Sequence, residues 1–145
     1  MRFSKILVPV AGAPADKGAL DLACTLAKTK FRPGITALNV IQVDRSLPLE
    51  AEIEPDVARA ESIMTEATKR IEKNGCAAEI DIIQAREVGP AIVQVAQEIK
   101  ADLIVLGVAY KTHFGEYWMG EVAPYVLKNS PCHVILDHQM EEATE

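Results

Sequence analysis

Five short apolar runs alternate along the chain with four longer segments of helical period, and this alternation limits the fold more than any other feature. The runs are rich in Ile and Val, which is typical of parallel strands buried on both faces. The predicted strands cover residues 5–10, 36–43, 78–84, 102–108 and 133–137. Because parallel strands are joined by right-handed crossovers, the pattern predicts an α/β fold. We expect an open five-stranded parallel sheet with helices on both faces and the first strand central, in a flavodoxin-like or related order.

Each helical segment carries its apolar residues on one stripe, so each helix can cover one face of the sheet. In the second segment this stripe consists of Val57, Ala60, Met64, Ala67 and Ile71. The fourth helix is predicted to begin near Gly120 and to turn four residues inward, namely Val122, Tyr125, Val126 and Leu127. The acidic stretch 44–54 interrupts the pattern, and we expect it to be a solvent-exposed loop.

The chain has 15 basic and 21 acidic side chains, and the net charge of −6 disfavours nucleic acid or anionic lipid as a partner. Since no run of about 18 apolar residues is present, we expect a cytoplasmic protein without membrane insertion. The three cysteines are far apart in sequence and lack zinc-ligand spacing, which favours small buried hydrophobic residues in a reducing compartment. The length fits one domain over residues 1–138, followed by an acidic tail over 139–145.

Ligands of an open parallel sheet bind outside the carboxyl ends of the strands, where neighbouring crossovers go to opposite faces. In this chain that place is predicted to be the gap between the first and fourth strands. Gly107 and Gly120 would allow close backbone approach there, and the start of the last helix would offer free N–H groups to a phosphate. Two glycines are also typical of simple turns, so the pattern alone leaves both interpretations open.

No residue pattern predicts catalysis or a metal site. None of the four serines lies in a nucleophile-elbow motif. The three histidines, His113, His133 and His138, lack metal-ligand spacing. Five of the seven aromatic residues fall within residues 110–125. We expect them to pack as a lid or a subunit contact, with Trp118 shielded from water.

Three segments resemble the universal stress protein family, in the family's order and across nearly the whole chain. They are KILVPV at 5–10, ADLIVLG at 101–107, and the closing run with GEVA at 120–123 and NSPCHV at 129–134. The resemblance implies a five-stranded adenine-nucleotide-binding α/β fold and a homodimer formed through the last strand. It also implies one of two branches, because the family divides into ATP-binding and non-ATP-binding proteins.

The ATP-binding branch carries an Asp after the first strand and a G-x-x-G-(nine residues)-G-[S/T] stretch after the fourth. The matching positions of this sequence are Ala11, Gly107, Tyr110, Gly120 and Glu121, so three of the five depart from the pattern. A carboxylate at a helix start is stabilised by roughly 0.3–1 kcal/mol, and Glu121 would therefore compete with a triphosphate. The resemblance thus implies an eroded nucleotide site, with candidate residues Pro9, Val10, Ala11, Val40, Gly107, Tyr110, Gly120 and Glu121.

The sequence therefore favours a homodimeric binding or regulatory module that is not an enzyme and has no cofactor. One alternative is an adenine-nucleotide switch that hydrolyses ATP slowly, and another is a regulatory domain or partner of a membrane transporter. The last strand would be an edge strand with no inward charge to block pairing. The dimer is predicted to form through its residues His133, Val134, Ile135, Leu136 and Asp137.

Overall fold

The structure is a computed structural model that describes residues 3–113 and 116–140, apart from the side chains of 110–113, 116–118 and 140. The strands in these residues are β1 (Lys5–Pro9), β2 (Gly34–Gln42), β3 (Ala78–Ala85), β4 (Leu103–His113), β5 (Glu116–Trp118) and β6 (His133–Met140). The helices are α1 (Asp16–Ala27), α2 (Glu54–Lys73), α3 (Val88–Glu98) and α4 (Val122–Asn129).

Five of the strands form one parallel sheet in the order β3-β2-β1-β4-β6, which confirms the predicted fold class and places β1 at the centre. β2 and β3 both lie on one side of β1, so the order matches the first five strands of the six-stranded dinucleotide-binding fold and not that of flavodoxin. The chain then crosses to the other side of β1 for β4 and β6. This reversal opens a gap at the carboxyl ends of β1 and β4.

A short antiparallel extension, β5, pairs with the end of β4 and was not predicted. β4 continues to His113, five residues beyond the predicted end at Val108. The apolar pattern stops earlier because Lys111, Thr112 and His113 are polar. A strand that leaves the covered part of the sheet no longer needs apolar residues on both faces, so hydrophobicity alone does not mark its end.

The sheet separates two apolar cores. Ile6 and Val8 of β1 pack under α1 and α2, whereas Leu7 packs on the opposite face under α3 and α4. All three side chains are fully buried, and each such burial stabilises the fold by roughly 1.5–3 kcal/mol. The alternation of faces along β1 therefore fixes which helices lie on which side.

The predicted helical stripes are confirmed for α2 and only partly for α4. On α2, the residues from Ala60 to Ile71 that were predicted to face the sheet are buried. On α4, Ala123 and Val126 are buried, but Tyr125 is 38% exposed and Leu127 is 49% exposed, so the prediction that these two face inward is wrong. α4 has only eight residues and turns one narrow face to the core.

The acidic stretch after β2 is an exposed loop, as predicted, and side chains from the end of β3 hold its backbone. Arg86 donates to the carbonyl oxygens of Asp44 at 2.6 Å and Leu47 at 2.8 Å. Gln84 donates to those of Leu49 and Ala51, both at 2.8 Å. The loop is therefore tied to the sheet edge beside the carboxyl ends of the strands. Within the described residues, no helix is long and apolar enough to cross a membrane.

Candidate functional site

A cleft of about 410 Å³ opens at the carboxyl ends of β1, β2 and β4, where the topology predicts a ligand site. Helices α2 and α3 contribute its walls through residues such as Arg59 and Ile92. Five predicted site residues line the cleft together: Pro9, Val10, Ala11, Val40 and Gly107. The sequence interpretation missed several others, including the polar residues Asp16, Asn39, Gln42, Asp56 and Arg59.

Asp16 fills the turn between β1 and α1. Its Oδ2 accepts hydrogen bonds from three consecutive backbone N–H groups, those of Ala11 at 3.1 Å, Gly12 at 2.8 Å and Ala13 at 2.9 Å. Consecutive N–H groups of this kind form a concave anion site. Because Asp16 is buried and occupies that site, these donors are used by the chain's own carboxylate. Burial raises the pKa of Asp16 above its ordinary value, and the three hydrogen bonds offset part of that effect.

Gly107 is required by the packing of the chain itself. A Cβ at this position would overlap the backbone carbonyl oxygen of Ala15 at the start of α1. The sequence predicted that another group approaches the Gly107 backbone closely, and the group that does so in the structure is the backbone at the start of α1. Gly12 has a φ of +90°, which favours glycine, and a Cβ there would lie 2.8 Å from Ile63 Cδ1 of α2.

Asn39 connects two strand ends beside the cleft. Its side chain is buried, and Nδ2 donates to the carbonyl oxygen of Val10 at 2.8 Å. The Val10 N–H in turn donates to the carbonyl oxygen of Leu38 at 2.7 Å. These bonds satisfy backbone groups just beyond the β1 ladder, where an unpaired buried carbonyl would be costly. They fix the spacing of β1 and β2 at the cleft.

The start of α4 reaches this cleft through its first residue, Val122, but the predicted site residues Gly120 and Glu121 are not among the lining residues. Gly120 has a φ of +82°, and Glu121 follows at the N-cap position. The Glu121 side chain is exposed and makes no capping hydrogen bond. The expectation that its carboxylate occupies the helix N–H groups is therefore wrong. The side chains of Tyr110 and Trp118 lie outside the described residues.

Negative charge predominates among the described residues that line the cleft. Arg59 is the cation of this set, and Asp16 and Asp56 are its two carboxylic acids. The floor is apolar, with Val10, Leu38 and Val40. The cleft can therefore take an aromatic or apolar group more readily than a chain of phosphates. Among the described residues, no three His, Cys, Asp or Glu side chains form a group that could hold a metal ion.

The edge strand β6 pairs with β4 from Leu103↔His133 to Tyr110↔Met140. The prediction that β6 carries no inward charge is wrong, because Oδ2 of Asp137 is buried and has no hydrogen-bond partner among the described residues. This oxygen lies against Gly18 of α1, where a Cβ would overlap it. An inward carboxylate is one device that protects an edge strand, so only the apolar part before Asp137 suits pairing.

The fold defines a doubly wound α/β domain with a cleft at the reversal of strand order. A model of the universal stress protein family matches residues 2–138. Universal stress protein MJ0531 of Methanocaldococcus jannaschii is 31% identical over 141 residues, which cover 92% of this chain and 81% of that protein. The chain therefore belongs to the universal stress protein family.

Two solved structures share the fold at lower identity. A universal stress protein in complex with cAMP is 22% identical with a TM-score of 0.72, covering 95% of this chain and 98% of that one. The universal stress protein from Archaeoglobus fulgidus in complex with dAMP is 22% identical with a TM-score of 0.71, covering 94% and 98%. The ligands of these two complexes, cAMP and dAMP, are both adenine mononucleotides.

Proposed function

We propose that this protein is a regulatory binding module that takes an adenine mononucleotide in the carboxyl-end cleft and discriminates against ATP. The observation that carries the proposal is the hydrogen bonding of Asp16, whose carboxylate occupies the three N–H groups of the β1–α1 turn. A polyphosphate that approached this turn would have to displace a carboxylate held by the chain. The binding of cAMP and dAMP by related folds supports the choice of an adenine ligand.

The apolar floor supports the position of the base. Val10, Leu38 and Val40 give an apolar surface at the strand ends, and the volume of about 410 Å³ lies within the range of small-molecule sites. Asn39 and Gln42 add polar side chains to the lining around this floor. An adenine ring can therefore be buried on the floor while its polar edge contacts a side-chain amide.

The charge of the cleft supports the preference for one phosphate over three. Arg59 can pair with a single phosphate, but Asp56 and Asp16 lie on the same lining. Each further phosphate adds negative charge without adding a protein cation from the described lining. The repulsion is strongest where water is displaced, because the effective dielectric constant is lower there.

The experiment is a calorimetric titration with AMP of protein freed of copurified nucleotide. Val40→Asp places a carboxylate on the cleft floor and should weaken AMP binding by about tenfold or more, which corresponds to about 1.4 kcal/mol. Leu49→Asp makes the same kind of change on the exposed loop, outside the cleft lining, and should leave binding unchanged. Equal binding by wild type and Val40→Asp would place the nucleotide elsewhere.

The proposed module acts as a homodimer through β6. The middle of the strand, Val134 to Leu136, is apolar and half-buried, and β6 uses one of its two edges to pair with β4. In a two-fold dimer the same strand of a second copy would run antiparallel along the other edge. This pairing would satisfy free backbone groups and cover apolar side chains, so disrupting the middle of β6 should give a monomer.

A further inference from the structure

Two cysteines that are distant in sequence meet beside the α2–β3 turn. Cys24 lies on α1 and is 2% exposed, whereas Cys76 follows the turn glycine Gly75 and is half-buried. The Cys76 thiol donates to the backbone carbonyl oxygen of Cys24 at 3.5 Å. The fold thus packs Cys76 against Cys24 although 51 residues separate them in the chain.

Cys76 also lines a cavity of about 280 Å³ that lies between the end of α1 and the α2–β3 turn. Lys28 and Arg32 line the same cavity. A Cβ on the neighbouring Gly75 would lie 3.6 Å from Lys28 Nζ, so the ammonium group is next to the turn that carries Cys76. A small electrophile can therefore approach Cys76 from the cavity, and positive charge is present where a leaving oxygen would become negative.

We propose that Cys24 and Cys76 form a modification site that a hydroperoxide converts to an intramolecular disulfide. The Cys76 sulfur attacks one peroxide oxygen, the O–O bond breaks, and the other oxygen takes the thiol proton and leaves as water or an alcohol. Cys76 is then a sulfenic acid. The Cys24 sulfur attacks the Cys76 sulfur, the S–O bond breaks, and the hydroxyl group leaves with the Cys24 proton as water. Two thiols are oxidised and one hydroperoxide is reduced.

The environments of the two thiols set the order of these steps. Burial raises the pKa of the Cys24 thiol to about 12. Cys24 is therefore protonated at neutral pH and has no open approach for peroxide. Cys76 reacts first because it lines the cavity.

The test is peroxide treatment of the reduced full chain, followed by a count of free thiols in denaturant and mapping of tryptic peptides. The chain has three cysteines, and the count should fall from three to one. Trypsin places Cys24 in peptide 18–28, Cys76 in 74–86 and Cys132 in 129–145, so the product should be a cross-link of the first two. Dithiothreitol should restore all three thiols.

Three variants separate this site from general oxidation. Cys132→Ser is the matched control and should still form the 18–28/74–86 cross-link. Cys24→Ser should stop at a sulfenic acid on Cys76 that dimedone captures, and Cys76→Ser should leave Cys24 unmodified. The proposal is overturned if treated wild type keeps three thiols or forms only links between molecules. It is also overturned if Cys24 in Cys76→Ser is oxidised as fast as in wild type.

Discussion

Gly107→Ala tests whether this glycine is needed by the fold before any ligand is bound. The added methyl group would overlap the carbonyl oxygen of Ala15, and the next nearest atoms also belong to the backbone at the start of α1. Backbone atoms cannot rotate away as a side chain can, so α1 must move relative to β4. Overpacking of this kind costs about 1–3 kcal/mol, and we expect the upper half of that range. For a chain of this length, about 1 kcal/mol lowers Tm by roughly 4 °C, which gives a decrease of about 8–12 °C.

The matched control is Gly34→Ala at the start of β2. A Cβ on Gly34 has no atom within 4 Å, and its φ is outside the left-handed range. The control should therefore leave Tm unchanged or raise it, because Ala restricts the unfolded chain by about 0.4–1 kcal/mol. Thermal unfolding of both variants without nucleotide, followed by circular dichroism, gives the comparison. If Gly107→Ala is as stable as Gly34→Ala, the close approach of α1 to β4 is not as described.

Asp21 accepts hydrogen bonds from Arg70 at 2.8 and 2.7 Å, and this contact lowers the pKa of Asp21 from 3.8. Because the folded pKa is below the unfolded one, the stability that this pair adds is present above about pH 3.8 and is lost as the pH falls through the folded value. In urea unfolding, the free energy of unfolding of Asp21→Asn should no longer fall at acid pH through this pair. The effect should be about 1 kcal/mol or less because the pair is partly exposed. The same pH profile in wild type and variant would contradict this expectation. The substitution Ile135→Lys in the middle of β6 should give a monomer in sedimentation equilibrium. Pairing through this strand would be excluded if the wild type is a monomer at tens of micromolar, or if the variant remains fully dimeric. The double variant Glu121→Ser with Tyr110→Gly restores the family pattern at two positions and should raise ATP affinity in calorimetry, whereas unchanged affinity in a folded variant would assign the discrimination to other residues.

The strands and helices could be predicted from sequence because burial on two faces leaves a strong periodic pattern. The central strand β1 is one such case, because its consecutive residues Ile6, Leu7 and Val8 alternate between the two cores. The order of the outer strands could not be predicted, since right-handed crossovers permit both the flavodoxin order and the observed one. β5 was missed because polar residues precede it.

The candidate site was predicted only where it follows from the ends of strands. Val10, Val40 and Gly107 lie at such ends, and the structure brings them to one cleft. Asn39 and Arg59 were missed because their roles depend on contacts with other elements. Asp16 could have been found, since an acidic residue in the first turn of a helix is a known signal of a helix start.

The binding selectivity of the wild-type cleft tests the central claim most directly. Nucleotide-free protein is titrated in parallel with AMP and with ATP and Mg²⁺ at the same ionic strength, because the charge of the ligand makes the comparison salt-dependent. We expect AMP to bind at least about tenfold more tightly, since Asp16 occupies the backbone donors and Arg59 is the cation of the described lining. Binding of ATP as tight as that of AMP, or no binding of AMP at all, would contradict the proposed function.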